Sequence, residues 1–424
     1  MHADPLHIDI EEVAQCEPIP TRTGIDKILW LIILLGSSIF FAYLFIDPKH
    51  LWNSYFITSL FWLGLSLGGV MTTVIFQIVR ATWSSPIRRI AESNVAFLPY
   101  AYIAYMGTYF GKEYLFNWAT TPMPGREIWM QPDFVYGRFG IALGVLVFLL
   151  HRFVRMSLRS DIGFLQETSS NKAFWHGHPY DALTTEWRGA HTEVKAIQSK
   201  MSWNAPVIVL AYVVIVSLLA FEMVMGQDNI WYSNMMGGFI FLGNIYMSWA
   251  MTALLTMYFM SVSPVFKKQL GTQQFWDLGK LTFGFSMLWG YTMLSQYLPQ
   301  WYGNLPEETQ WLILRTKEMP WKPIAFLTLG MCFLFPFITL ISEDIKKTPK
   351  AFGVICCVVL LGMWCEKFIL VSPQRYPHEL PFGFIDVAIF ATFAAVYFMA
   401  ITSFMSKYPF LTVSHPQAKG EVEW

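Results

Sequence analysis

"ILWLIILLGSSIFFAYLFI", residues 28–46, runs for nineteen residues without a charge. A helix needs about 20 mostly apolar residues to cross the hydrocarbon core of a bilayer. Backbone groups in lipid must find their hydrogen bonds within their own segment, so helix is the form open to such a stretch. Working outward, nine more segments of this kind follow. The ten fall at about residues 28–46, 54–79, 95–115, 134–156, 205–225, 232–260, 278–298, 323–341, 351–371 and 383–404. The expected fold is therefore an all-α integral membrane protein of about ten transmembrane helices. Lys112, Glu113 and Arg138 intrude near the ends of the third and fourth spans.

The composition agrees. Of 424 residues, 54% are hydrophobic, 17% aromatic and only 14% charged, where a soluble domain carries about 25% charged residues. Lys+Arg and Asp+Glu both number 29, so net charge gives no case for a nucleic-acid or acidic partner. No G-x-x-x-x-G-K-[ST] phosphate loop, H-E-x-x-H pair or G-x-S-x-G elbow is present. Cys332, Cys356, Cys357 and Cys365 follow no metal spacing; they lie in apolar segments and read as small buried hydrophobes. Cys16 has no reading.

Residues 1–26 are polar and acidic without an apolar core, which excludes a secretory signal and suggests a cytoplasmic arm. Residues 27–404 form the membrane domain and 405–424 a cytoplasmic tail. Placing the arm and every second connection on one side collects 20 of the 29 basic residues there. By the positive-inside rule, both termini are cytoplasmic. The longest polar connection, 157–204, lies on that side; it contains "RSDIGFLQETSSNKAFWHGHPYDALTTEWRG" (159–189) and divides four spans from six. On the other side, "PEETQWLILRT" (306–316) predicts a short helix on the membrane surface, with Trp311, Leu312 and Leu314 inward. Trp301, Tyr302, Trp311 and Trp321 around it read as an interface belt or a docking surface.

Bis-histidine haem needs paired histidines on facing spans. Only His151 falls within a span, and it has no partner; His176 and His178 lie in the polar connection. The expectation is that this chain holds no haem, iron–sulfur cluster or structural metal. The acidic residues are more telling, because an ionisable group at membrane depth is costly and marks a proton, ion or substrate path by default. Glu222 ends the fifth span, Glu366 and Lys367 lie inside the ninth, and Asp386 starts the tenth. Adjacent residues on a helix point apart, which disfavours a Glu366–Lys367 pair. Asp386 also suits simple stabilisation of a helix start. Arg138 is placed to neutralise one of these acids. "MLWGYTMLSQYLPQW" (287–301) adds Tyr291, Ser295 and Gln296, groups that glue helices together, line a water file or hold a quinone carbonyl.

"FWDLGKLTFGFSMLWGYTMLSQYLPQWYGNLPEE" (275–308) resembles the signature of the F-type integral membrane subunit of alternative complex III. That complex is a bacterial quinol:electron-acceptor oxidoreductase, and its F and C subunits are similar to the NrfD/PsrC membrane family. "TSLFWLGLSLGGV" (58–70), "SSPIRRIAESNVAFLP" (84–99), "FEMVMGQDNIWYSNMMGG" (221–238), "GMWCEKFILVSP" (362–373) and "FGFIDVAIF" (382–390) resemble other parts of the same subunit in the same order. The similarity runs from about residue 50 to 404 and includes Asp277, Lys280 and Asn304 of the main motif. Two features depart from it: Trp276 stands where the family has His, and Glu222 and Glu366 stand where it tends to have Asp.

The resemblance implies two four-helix bundles, spans two to five and six to nine, plus peripheral helices. It implies a membrane subunit without a redox centre, in the bacterial inner membrane, that contributes a proton path and an assembly surface. Haem c and iron–sulfur clusters would belong to its partners: an iron–sulfur subunit with a molybdopterin-oxidoreductase-like domain, and pentahaem and monohaem cytochromes c. A C-type membrane subunit would complete the set, with membrane lipid or a quinone as this chain's own ligands. Tyr291, Ser295 and Gln296 would then face the second bundle's interior, near Glu366 and Glu222. A quinone-binding anchor of a related oxidoreductase, a secondary transporter and a pure scaffold stay open as other readings.

Overall fold

The computed structural model describes residues 18–19, 23–169 and 171–414. Cys16, Arg22, Lys419 and most of the acidic arm lie outside the described residues. The chain is an all-α, multi-pass membrane protein: no strand occurs among the described residues, and eight helices are long and apolar enough to cross a membrane. We number the main helices α1 (Thr23–Ile46), α2 (Pro48–Ile78), α3 (Ser85–Ser93), α4 (Leu98–Met106), α5 (Pro132–Thr168) and α6 (Ala190–Leu219). They continue with α7 (Met236–Val262), α8 (Thr272–Gly303), α9 (Pro306–Thr316), α10 (Trp321–Leu329), α11 (Pro349–Val371) and α12 (Phe384–Met405).

The helix starts follow from local chemistry. Pro48, Pro132, Pro306 and Pro349 each open a helix, where the missing N–H costs nothing. Asp47 caps α2 by accepting from the His50 amide at 3.1 Å. At the other end of α8, Asn304 adopts the left-handed conformation (φ 46°) that ends helices.

The structure redraws several expected spans. The third (95–115) is broken into a 3-10 turn at Asn94–Ala96, α4, a second 3-10 turn at Gly107–Gly111 and one helical turn at Lys112–Leu115 instead of one helix. The seventh appears as α8, 32 residues long, whose polar positions keep it out of the apolar eight. The fourth and fifth extend well into the expected connection 157–204, since α5 runs to Thr168 and α6 begins at Ala190. Hydropathy marks where a helix meets lipid; it does not see helical turns that continue beyond the bilayer.

At the centre, α2 packs on α4, α6, α7, α11 and α12, while α7 packs on α2, α6, α8 and α11. Small residues permit this contact. A methyl group at Gly64 or Gly68 would overlap Asn244, and Ser248 donates to the Leu65 carbonyl at 2.8 Å. The outlying α1 packs on α12 and α2. Two π-turns interrupt the ladder, Ala220–Val224 after α6 and Gly330–Leu334 after α10. Pro336 explains part of the second: having no N–H, it frees the Cys332 carbonyl one turn back, and the Tyr246 hydroxyl donates to it at 3.0 Å.

One end of the bundle gathers the termini of α2, α5 and α12 and the start of α6. Within it, Arg89 pairs with both Glu92 and Asp161, and Arg88 reaches Glu92 at 3.3 Å and Gln77 at 2.7 Å. Gln77 in turn donates to Gln198 at 3.1 Å. Asp161 accepts from the Ser414 amide and hydroxyl at 2.8 and 2.6 Å. Phe410, Leu411 and Val413 are buried. The described part of the expected C-terminal tail is therefore packed into the bundle.

Candidate functional site

Glu366 lies about three-quarters of the way along α11 and is 1% exposed, and Lys367 beside it is 0% exposed. The Glu366 carboxylate accepts from the Trp289 indole N–H on α8 and is paired with the Lys367 ammonium. The expectation that neighbours would not meet was mistaken. The four-carbon lysine stem is long enough to bend back to the adjacent carboxylate, and no other acid is paired with it among the described residues. Gly243 of α7 lies against this site: a Cβ there would come within 3.0 Å of the Met363 methyl and into ordinary contact, 3.7 Å, with Glu366 Oε2.

Glu222 sits in the π-turn that ends α6 and is buried. It accepts from the Trp129 indole at 2.8 Å and is paired with Arg138, the cation that the sequence had offered. The Arg138 guanidinium lies over the Trp129 ring, 4.0 Å from its centre. Each of the two acids thus has one indole donor and one cation.

The two centres are tied together beyond their helices. The segment after Glu222 makes a 3-10 turn at Met225–Gln227, and the segment after Glu366 makes one at Ser372–Gln374. Gln374 donates to Asp228, and Arg375 donates to Gln227 at 3.0 Å. The surface helix α9 forms where the sequence placed it and locks the same region. Arg315 donates to the Ile369 and Leu370 carbonyls at 2.9 and 3.1 Å, satisfying acceptors at the end of α11. Burial pulls its pKa down to about 9, which leaves it cationic at neutral pH, the sign that a helix C-terminus favours. Trp311 stacks on Trp231 at 3.9 Å, and Trp321 is buried and donates to the Tyr376 carbonyl at 2.8 Å. Trp301 and Tyr302 remain exposed. Of the four aromatics, Trp311 and Trp321 are therefore packed internally, while Trp301 and Tyr302 face outward.

Asp386 is the third acid. It accepts from the Gly383 amide at 2.8 Å at the start of α12 and meets His50 Nε2 at 2.9 Å, while its Oδ1 has no partner among the described residues. The Gly383 bond is the helix-start role anticipated for it; His50 is an addition.

Other expected site residues fall elsewhere. Tyr291 is 61% exposed on the outer face of α8, not inside the bundle. Ser295 and Gln296 are half-buried, and Gln296 donates to the Thr292 carbonyl of its own helix at 3.4 Å. The interior face of α8 carries Ser286, Trp289 and Thr292 instead. The apolar positions Leu288, Leu294 and Leu298 mark the opposite, exposed face, a stripe already present in the sequence. Asp277 and Lys280 form an ion pair at 2.5 Å near the start of α8, and Lys280 and Lys347 lie 4.3 and 4.9 Å from the Trp276 ring centre. Cys332, Cys356 and Cys365 are buried as expected, but Cys357 is exposed. His151 bonds the Val147 carbonyl of its own helix at 3.1 Å.

Sequence reasoning missed Trp129, Trp289 and His50, and it counted Arg88 and Arg89 only among the basic residues of the expected cytoplasmic side. An Arg-Arg-x-x-Glu spacing, which places the acid one turn from both cations, was the available signal. No protein-family model and no curated protein sequence matches this chain.

Proposed function

We propose that this chain is a membrane subunit of a quinol-oxidising electron-transfer complex of the alternative complex III type, carrying no redox centre and conducting protons through its interior. The observation that carries the proton role is the fully buried Glu366, held by an indole donor and a single cation inside a membrane helix. A carboxylate kept in such a place costs several kcal/mol relative to an apolar residue. Packing alone does not repay that cost. The electron-transfer setting rests on the resemblance over residues 50–404.

In this reading the chain has ten spans, with the broken segment around α4 and with α8 completing the apolar eight, in two bundles that meet at α2 and α7. The end rich in Lys and Arg faces the cytoplasm, in the bacterial inner membrane. Glu366 and Glu222 take up and release protons near the opposite face. Asn53 Oδ1, Ser54 Oγ and Thr58 Oγ1 on α2 and Thr252 Oγ1 on α7 have no partner among the described residues. Buried groups of this kind are commonly satisfied by ordered water, which would link the carboxylates to the two faces. The partners are the C-type membrane subunit, the iron–sulfur subunit and the two cytochromes c.

Affinity purification from the native membrane, with haem staining and mass spectrometry, tests the assignment. Multihaem cytochrome c and an iron–sulfur subunit are expected to co-purify. A chain that emerges without redox partners would end this reading and bring the transporter alternative forward.

A further inference from the structure

A groove of about 1080 Å³ opens between α1, α5 and α12, and neither Glu222 nor Glu366 lines it. Its long walls are apolar, among them Trp30, Phe148, Val396 and Met399. At the end nearest the buried arginine network, three cations line it: Arg152 and Arg155, one turn apart on α5, and Lys407, just beyond α12. All three side chains are exposed, and none has an acidic partner among the described residues. The next arginine on α5 shows the contrast: Arg159 is bonded to the Leu183 and Thr185 carbonyls and paired with Glu193 at 3.6 Å.

An apolar trough along two membrane helices, closed at one end by uncompensated cations, has the shape and charge of a phospholipid with an anionic head. We propose that this groove holds one anionic glycerophospholipid, with its acyl chains along α1 and α12 and its phosphate among Arg152, Arg155 and Lys407. Charge complementarity selects the occupant. A quinone brings no anion, and a zwitterionic lipid offsets its phosphate with a cation of its own, whereas an anionic head brings net negative charge to all three basic residues. The lipid also gives the outlying α1 a contact surface beside α12 and α2, the main helices against which it chiefly packs.

The test uses the full chain, delipidated in detergent and returned to nanodiscs of phosphatidylcholine with graded phosphatidylglycerol, then analysed by native mass spectrometry. One retained phosphatidylglycerol is expected, with at least tenfold lower occupancy in the triple variant Arg152→Gln, Arg155→Gln, Lys407→Gln. Ala400→Trp, which fills the apolar wall and leaves the cations in place, is expected to lose the lipid equally. Should the triple variant not fold, Ala400→Trp decides the outcome. Equal retention of phosphatidylcholine, or unchanged phosphatidylglycerol in Ala400→Trp, overturns the proposal. So does a photo-crosslinker at Met399 that captures residues 1–17 or a quinone instead of phospholipid.

Discussion

The two acid centres have the same chemical parts but unequal exposure, and their substitutions should behave differently. Glu366→Gln removes the charge yet leaves Lys367 buried without a counter-ion, which costs about 3–5 kcal/mol. The informative variant is therefore the double one, Glu366→Gln with Lys367→Met, which removes both charges together. It is expected to assemble and to lose proton release coupled to quinol oxidation in the intact complex. Unchanged coupling in that variant would falsify a proton role for Glu366. Glu366→Asp, which keeps the carboxylate, should retain most of the coupling. At the second centre, Arg138 keeps partial contact with solvent (side chain 17% exposed), so water offsets part of the loss. Arg138→Gln is expected to lower the midpoint of thermal unfolding in detergent by several degrees, at a cost of about 2 kcal/mol. An unshifted midpoint would mean that Glu222 finds another partner or is neutral.

At the scale of elements, close helix contact and docked loops hold the bundle. Gly68 faces the Asn244 backbone carbonyl across the α2–α7 contact, which no side-chain rotation can move, and the Ser248 hydroxyl beside it. Gly68→Val should therefore force α2 and α7 apart and lower the yield of folded protein in size-exclusion chromatography, whereas Gly137→Ala, with nothing within 4 Å, should not. The α9 helix depends on one cation. Arg315→Met strands the Ile369 and Leu370 carbonyls and removes the stack on Trp311, 3.8 Å from the guanidinium. A loss of about 2 kcal/mol and faster proteolysis between residues 303 and 320 are expected. Resistance equal to the parent would show that Trp311 stacking on Trp231 suffices. The α9 helix was legible in the sequence because Pro306, two acids in the first turn and an apolar face all agree. What it holds was not legible, since the Ile369 and Leu370 carbonyls carry no sequence signature.

For the molecule as a whole, the proposed orientation rests on the distribution of basic residues, and a buried polar network closes one end. Single cysteines introduced at Lys172 and at Tyr302 should react with a membrane-impermeant maleimide from opposite sides of the membrane, Tyr302 from outside in intact cells. Labelling of both from one side would remove the proposed topology. The Arg89–Asp161–Ser414 network joins α3, α5 and the C-terminal segment, which are far apart in sequence. Asp161→Asn should release that segment, seen as new proteolytic cleavage near residues 405–414 without loss of the remaining fold.

By itself, the sequence determined that the chain is helical and crosses a membrane repeatedly, because hydrocarbon penalises every unsatisfied backbone group and leaves a readable apolar length. It also marked Glu222, Glu366 and Asp386 as costly residues, and Arg138 as a cation within reach. Only the tertiary structure decided which groups compensate them. A carboxylate's partner is set by which faces of separate helices meet, as Trp289 meets Glu366 and Trp129 meets Glu222, and one helix's periodicity cannot specify its neighbour's rotation. Tyr291 was assigned to the interior for that reason: its residue type suited a polar path, but helix packing turned Trp289 inward and left Tyr291 on the outer face.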